Sequence, residues 1–198
     1  MEKSKNDFSI LETDRWSSSL INIVEEMNGK PLNVHKLLAN HPKLFKAWWN
    51  FRNYSVEGGE LGRRKGELVI LRVASHLKSW YEWSSHVDRS LKCGLDLTEI
   101  QKVNQNIIRS DWSEEEYFLL ICIDKLIERK TIDGELYGHL KKYYSERQIM
   151  DIIAIHGMYI ILGCMLSVWE VELEDYISES LPVNITKERF LSDSQIHQ

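Results

Sequence analysis

The run ELVILRVASHLKSWYEWSSH, residues 67–86, decides how the chain is read. Its first half carries Leu68, Val69, Ile70, Leu71, Val73, Ala74 and Leu77. A helix of that pattern is apolar almost all round and needs neighbours on several sides. The pattern breaks near Lys78-Ser79 and restarts with acidic, phenolic, indole and imidazole side chains. Ser79 is placed to cap the second helix, with Glu82 three residues on at capping-box spacing. Glu82 and His86, four residues apart, share a helix face. Glu67 sits in the first turn of the preceding helix, where the helix dipole favours a carboxylate, and it can fold back against that face. Glu67, Ser79, Tyr81, Glu82, Trp83 and His86 are therefore candidates for an acid–base site. Burial beside Trp80 and Trp83 would move a Glu or His toward neutral pH. The plainer reading, Glu82 as a cap and His86 as a satisfied histidine, stands beside it.

Outward from this run the chain reads as helices. Asp14 is placed to cap one with Trp16, Leu20, Ile23, Val24 and Met27 at helical spacing, closed by Asn28-Gly29. Asn33 starts a short helix, and Pro42 sits at the first turn of another. In that one Leu44, Phe45, Trp48, Phe51 and Arg52 follow the amphipathic pattern. Trp48-Trp49 put two indoles on different helix faces, so at least one is expected to find a partner beyond its own core. Gly58-Gly59 break the pattern before the helix that contains Glu67. Thr98 with Gln101, Ser113 with Glu116 and Ser145 with Gln148 have capping-box spacing, and Asp133 is a further cap. No stretch alternates long enough for a strand. The expectation is an all-α bundle of about eight helices, one domain over 1–198 with residues 1–12 a loose tail.

With 198 residues, 43% hydrophobic and 28% charged, the composition is that of an ordinary globular chain. A net charge of −5 offers no basic face for nucleic acid. Cys93, Cys122 and Cys164 are odd in number and far apart, which with the polar N-terminus predicts a cytoplasmic protein. Ile149 to Trp169 is long enough to span a membrane, but it carries Asp151 and His156 and runs into Glu170, Glu172, Glu174 and Asp175. It is read as a buried central helix, with no membrane partner. Inside it His156 and Tyr159 form a second polar pair that needs partners, either facing the 67–86 cluster or bonded within the core. There is no phosphate-binding glycine loop and no nucleophile elbow. His76 and His86 have no metal-ligand spacing.

LGRRKGELVILRVA at 61–74, YEWSSH at 81–86 and LKCGLDLTEI at 91–100 together resemble the carboxymuconolactone decarboxylase family, which includes alkyl hydroperoxidase D-like proteins. The likeness is densest over 61–103 and continues more weakly through Ser113–Asp175. By that resemblance Glu67 matches the family's helix-borne glutamate, His86 its histidine and Tyr81 an aromatic position beside the active centre. The CxxC of the peroxidase branch would fall at Ser79 and Glu82, where both thiols are missing, so disulfide redox chemistry is not expected. The family's frequent arginine before the glutamate is Gly66 here. The resemblance then implies a decarboxylase-like enzyme that needs no cofactor and no metal and acts on a small carboxylic acid by decarboxylation or isomerisation. His86 would be the proton donor or shuttle, with Glu67 and Glu82 setting its tautomer and charge. Tyr81, Trp83, Ser79, His156 and Tyr159 would shape the pocket. Arg72 is read as a surface salt bridge or a contact to the substrate acid. The alternatives are an antioxidant protein lacking the CxxC, and a non-catalytic oligomeric binding protein. Self-association as a dimer, trimer or hexamer is also implied.

Overall fold

The computed structural model describes residues 9–193. Along the chain run α1 (Ile21–Glu26), α2 (Asn33–Leu38), α3 (Pro42–Val56), α4 (Arg63–Leu77), α5 (Trp80–Lys92), α6 (Leu97–Val103), α7 (Glu114–Arg129), α8 (Gly134–Leu140), α9 (Glu146–Val168), α10 (Asp175–Ser180) and α11 (Lys187–Asp193). Among the described residues there is no strand, and the two short helices after α9 are the ones the sequence reading did not anticipate.

The apolar half of the deciding run is α4, and it is the axis of the molecule. Every residue from Gly66 to Ser75 is buried, because α5, α6, α7 and α9 all pack on it. Each fully buried Leu, Ile or Val contributes roughly 1.5–3 kcal/mol, so this helix alone supplies a large share of the driving force. Arg72 lies inside this core, 2% exposed. It is neither a surface salt bridge nor a candidate for holding substrate. Its guanidinium forks onto Asp124 at 2.6 and 2.8 Å and donates to the carbonyls of Val103 and Gln105. Asp124 also takes His76 Nε2 at 2.7 Å. Burial pushes Asp124 upward, but the bonds from His76 and Arg72 outweigh it and leave its pKa lowered.

The loop before α4 explains Gly66. A side chain there would begin 2.9 Å from the Cα of Gly58, itself at φ +82°. An arginine at this position has no room. Asp151 on α9 ties the same loop down by accepting from the Tyr54 hydroxyl at 2.6 Å and the Glu60 amide at 2.7 Å.

α9 is long and apolar enough to cross a membrane, and half of its most apolar window is buried in protein, against α3, α4 and α7. The segment that follows α9 reaches across to α2 and α5. Glu174 Oε1 accepts from Tyr81 Oη at 2.9 Å and from the Asn33 amide at the start of α2.

Three local expectations are corrected. No helix starts at Asp14: two 3₁₀ turns, Thr13–Arg15 and Ser18–Leu20, come first. Trp16 is extended between them, where its indole donates to the Leu11 carbonyl and packs on Phe45. α6 uses Asp96 and Glu99 as a reciprocal capping box in place of Thr98 and Gln101. Trp48 and Trp49 are both buried, clustered with His35 and Phe45, and the Trp49 indole donates to Glu26 at 2.6 Å. Of the expected tail, residues 1–8 lie outside the described residues. Residues 9–12 are held, with the Ser9 carbonyl bonded to Asn40, the Leu11 amide to Lys36 and Glu12 paired with Lys36.

Candidate active site

α4 and α5 meet at the turn on Lys78, whose left-handed φ of 52° reverses the chain. The reversal lays the two helices antiparallel and brings Glu67, which stands just past the first turn of α4 and not within it, to His86 in the middle of α5. His86 Nδ1 lies 2.7 Å from Glu67 Oε2, and both side chains are buried. A carboxylate only accepts hydrogen bonds, so the imidazole proton on this side belongs to Nδ1. The other nitrogen, Nε2, is 2.9 Å from the hydroxyl of Tyr159 on α9. In a neutral ring Nε2 is the acceptor and Tyr159 donates. Glu67 is further held by Arg89 Nε at 3.2 Å and, at the edge of hydrogen-bonding distance, by Ser90 Oγ. The result is a chain Tyr159–His86–Glu67 in which the carboxylate fixes the tautomer, as a third group orients a catalytic base. The far side of Glu67 opens on a surface cleft with Arg63, Asp88, Arg89 and Cys93.

Glu82 is on the same helix one turn earlier, 1% exposed, and neither carboxyl oxygen has a hydrogen-bond partner. Ser79 Oγ caps the helix by accepting the Glu82 amide at 3.4 Å, but the Glu82 side chain does not turn back to complete the box. It points across to α9, where a side chain on Gly163 would begin 2.7 Å from its Oε2. Burial pushes the Glu82 carboxyl up to about 8, with the Ser79 hydroxyl pulling weakly the other way. At neutral pH it is a protonated acid.

Glu82, His86 and Tyr159 line one small cavity of about 40 Å³, room for a few waters. Tyr81, Leu32, Val34, His35, Trp48, Arg52, Ser85 and Leu162 complete its wall. His35 accepts the Leu32 amide on Nδ1 at 3.1 Å. Burial, reinforced by Arg52, pushes it down to about 3, so it is a neutral wall.

The other sequence candidates are placed differently. Tyr81 touches the cavity but its hydroxyl is committed to Glu174 and the Val34 amide. Trp83 turns away and packs on Trp80 and on Phe190 of α11. Ser79 serves as the cap of α5 and borders an outer groove of about 550 Å³ with Leu77, Tyr81 and Gly163. His156 is not in the cavity wall; it faces Lys130 and His76, and burial and those charges push it down to about 4. So the structure brings Glu67, Glu82, His86 and Tyr159 together, with Tyr81 at the margin, and leaves Trp83, Ser79 and His156 outside. Arg52, His35 and Arg89 were not singled out from sequence as site residues. Arg52 had one signal, its place on the Phe45–Trp48 face of α3. Among the described residues no group of three His, Cys, Asp or Glu side chains is arranged to hold a metal ion.

Residues 42–121 match the model of the carboxymuconolactone decarboxylase family. No curated protein matches the chain. Among solved structures, the fold is similar to an AhpD-core, peroxidase-related protein from Ralstonia eutropha, with a TM-score of 0.76 at 15% identity over 88% of this chain and 95% of that one. It is also similar to a peroxidase-related protein from Silicibacter, TM-score 0.73, 18% identity, 89% and 95% covered. The debrominase Bmp8, solved with 2,3,4-tribromopyrrole, superposes with a TM-score of 0.72 at 15% identity over 88% of this chain and 95% of its own. At these identities the likeness is one of fold.

Proposed function

We propose that this chain, whose residues 42–121 match the model of the carboxymuconolactone decarboxylase family, is a cofactor-free acid–base enzyme acting on a small carboxylated metabolite. One observation carries the reading: a buried carboxyl that desolvation pushes toward its protonated form and an imidazole held by Glu67 line the same small cavity. A proton donor and a proton acceptor facing one cavity are what general acid–base chemistry needs. Glu82 is the acid. His86 is the base or shuttle, reached through the Tyr159 hydroxyl, with Glu67 holding its orientation.

In a decarboxylation the C–COO⁻ bond breaks, carbon dioxide leaves and its electron pair passes to the substrate as a carbanion or dienolate. Glu82 then gives its proton to that carbon and is reprotonated from water. In an isomerisation His86 removes a proton from one carbon and Glu82 delivers one to another. Glu67 borders the outer cleft, which supplies a route for protons between His86 and solvent. Missing thiols at Ser79 and Glu82 argue against the peroxidase branch. Cytoplasmic placement remains part of the proposal, resting on the cysteine pattern.

The test is an NMR screen of small unsaturated and lactone carboxylic acids in deuterated water, following loss of substrate and deuterium uptake at carbon. Wild type should transform one class, and His86→Ala should lose roughly 10²–10⁴-fold in rate with helicity intact. Full activity in His86→Ala, or no acid transformed by wild type, overturns the assignment.

A further inference from the structure

The charges around the cavity do not balance, and the imbalance identifies what the cavity holds. Arg52, on α3, is half-buried in its wall. Its guanidinium lies over the Trp49 ring at 5.4 Å, and its side-chain hydrogen bond among the described residues goes to Asn53 Oδ1 at 3.0 Å. No carboxylate pairs with it among the described residues. The contrast with its neighbours is sharp: Arg72 is matched by Asp124, Arg89 by Glu67, Arg64 by Glu99 and Glu116, and Arg63 by Glu57. Burial lowers Arg52 and Arg89 lowers it further, while Tyr159 and, more weakly, Glu57 raise it; Glu57 is the carboxylate in this balance, but its hydrogen-bonded ion pair is with the exposed Arg63 and not with Arg52.

The other polar groups of the cavity supply no counter-charge. His35 is neutral, Glu82 is protonated at neutral pH, and Tyr159 and Tyr81 are both pushed upward by burial. The carboxylate of Glu67 stands behind His86 and is already matched by Arg89. A buried cation is costly unless it is paired, and a guanidinium offers five donors in a planar fork that fits a carboxylate bidentately. Only one donor direction of Arg52 is used by Asn53.

We infer that Arg52 is the anion anchor of this cavity and that the ligand it takes is a small monocarboxylate. The anion completes the missing ion pair, while Trp48, Val34 and Leu162 give its organic part an apolar, flat-sided enclosure. A second carboxylate would find no cation on this wall. This places the substrate's acid group against α3, with its adjoining carbons toward Glu82 and His86. The inference rests on the catalytic reading above only for that orientation; anion binding itself does not.

The test uses acetate as the probe on the full chain, with acetamide as its neutral counterpart and malonate as the dianion, each titrated while NMR follows the His86 ring. Wild type should bind acetate saturably and more tightly than acetamide or malonate. Arg52→Met should weaken acetate by at least about tenfold, and Arg52→Lys, which keeps the charge but loses the fork, should fall between. Circular dichroism melts confirm that the variants fold, and an Arg52→Lys that folds while Arg52→Met does not still ranks charge against fork. Equal acetate affinity in wild type and Arg52→Met, or no saturable acetate response in wild type, overturns the anchor. Acetate binding without turnover of any acid sinks the catalytic reading alone. Turnover with kcat and KM unchanged in Arg52→Met sinks the anchor alone.

Discussion

Replacing Glu82 by Met should make the protein more stable, and increasingly so as the pH rises. The carboxyl is buried without a hydrogen bond and its pKa stands at about 8 against an ordinary 4.5. Between those values the folded state keeps a proton that the unfolded state has released. Stability therefore falls as pH rises through this window, by about 1.4 kcal/mol per pH unit. From 4.5 to neutral pH the loss is about 3 kcal/mol and by pH 8 about 4 kcal/mol, levelling off at about 5 kcal/mol above about pH 9. Met has the same unbranched reach and no charge to bury, so the variant lacks this dependence. Urea melts of both proteins from about pH 5 to about pH 9 give the difference in unfolding free energy. The readout is its growth with pH, because the packing change adds only a constant. A difference flat across the whole range would mean that Glu82 ionises normally in the fold, and the argument for a protonated acid would fail. If it holds, the residue retained at the chain's expense in stability is the one proposed to do the chemistry, the expected trade between stability and activity.

Gly163→Ala would place a Cβ 2.5 Å from Leu77 Cδ1 and 2.7 Å from Glu82 Oε2. It should cost about 1–3 kcal/mol by overpacking, and thermal melts should show a smaller cost in a Glu82→Ala background; equal costs in both would mean the two do not touch. Self-association, which we propose on structural grounds different from the tryptophan argument, uses the outer stripe of α9: Met150, Ile153, Ile161 and Val168 are 47–68% exposed. The stripe is uncharged and runs past Gly157, where nothing stands within 4 Å of an added Cβ, so a second copy's α9 can lie against it isologously. Light scattering should give a mass above the 23.3 kDa of one chain, falling to monomer in Ile161→Glu; a monomeric wild type refutes the contact.

Much of the fold was readable because its signals are local. Pro42 at a first turn, the Lys78-Ser79 break and the caps at Ser113, Asp133 and Ser145 all act within a few residues of themselves. Asp14 misled because it competes with Ser17, whose side chain caps a turn of its own. The partners of His86 were less evenly legible. Glu67 could be expected opposite it, since α4 and α5 are consecutive, while Tyr159 is 73 residues away and announced itself only as a phenol in an apolar helix. Trp83 and Arg52 exchanged roles for one reason: aromatic neighbours in sequence suggest a pocket wall, yet which wall depends on later helices. Trp83 is claimed by Phe190 of α11, and Arg52 lies over the Trp49 ring and lines the cavity. No local pattern contains that information.

The meeting of Glu174 with Asn33 spans 141 residues of chain. α2, which contributes Val34 and His35 to the cavity wall, has six residues, too few to hold a helical shape by themselves. Its first turn is fastened by a carboxylate from beyond α9 and by Tyr81 of α5, so this wall depends on α2, α5 and the segment after α9 being together. The Tyr159–His86–Glu67 chain needs only α4, α5 and α9, whereas the wall over it is held by contacts far apart in sequence, whose closure costs more chain entropy; loosening the Glu174–Asn33 contact would open the cavity without touching that chain.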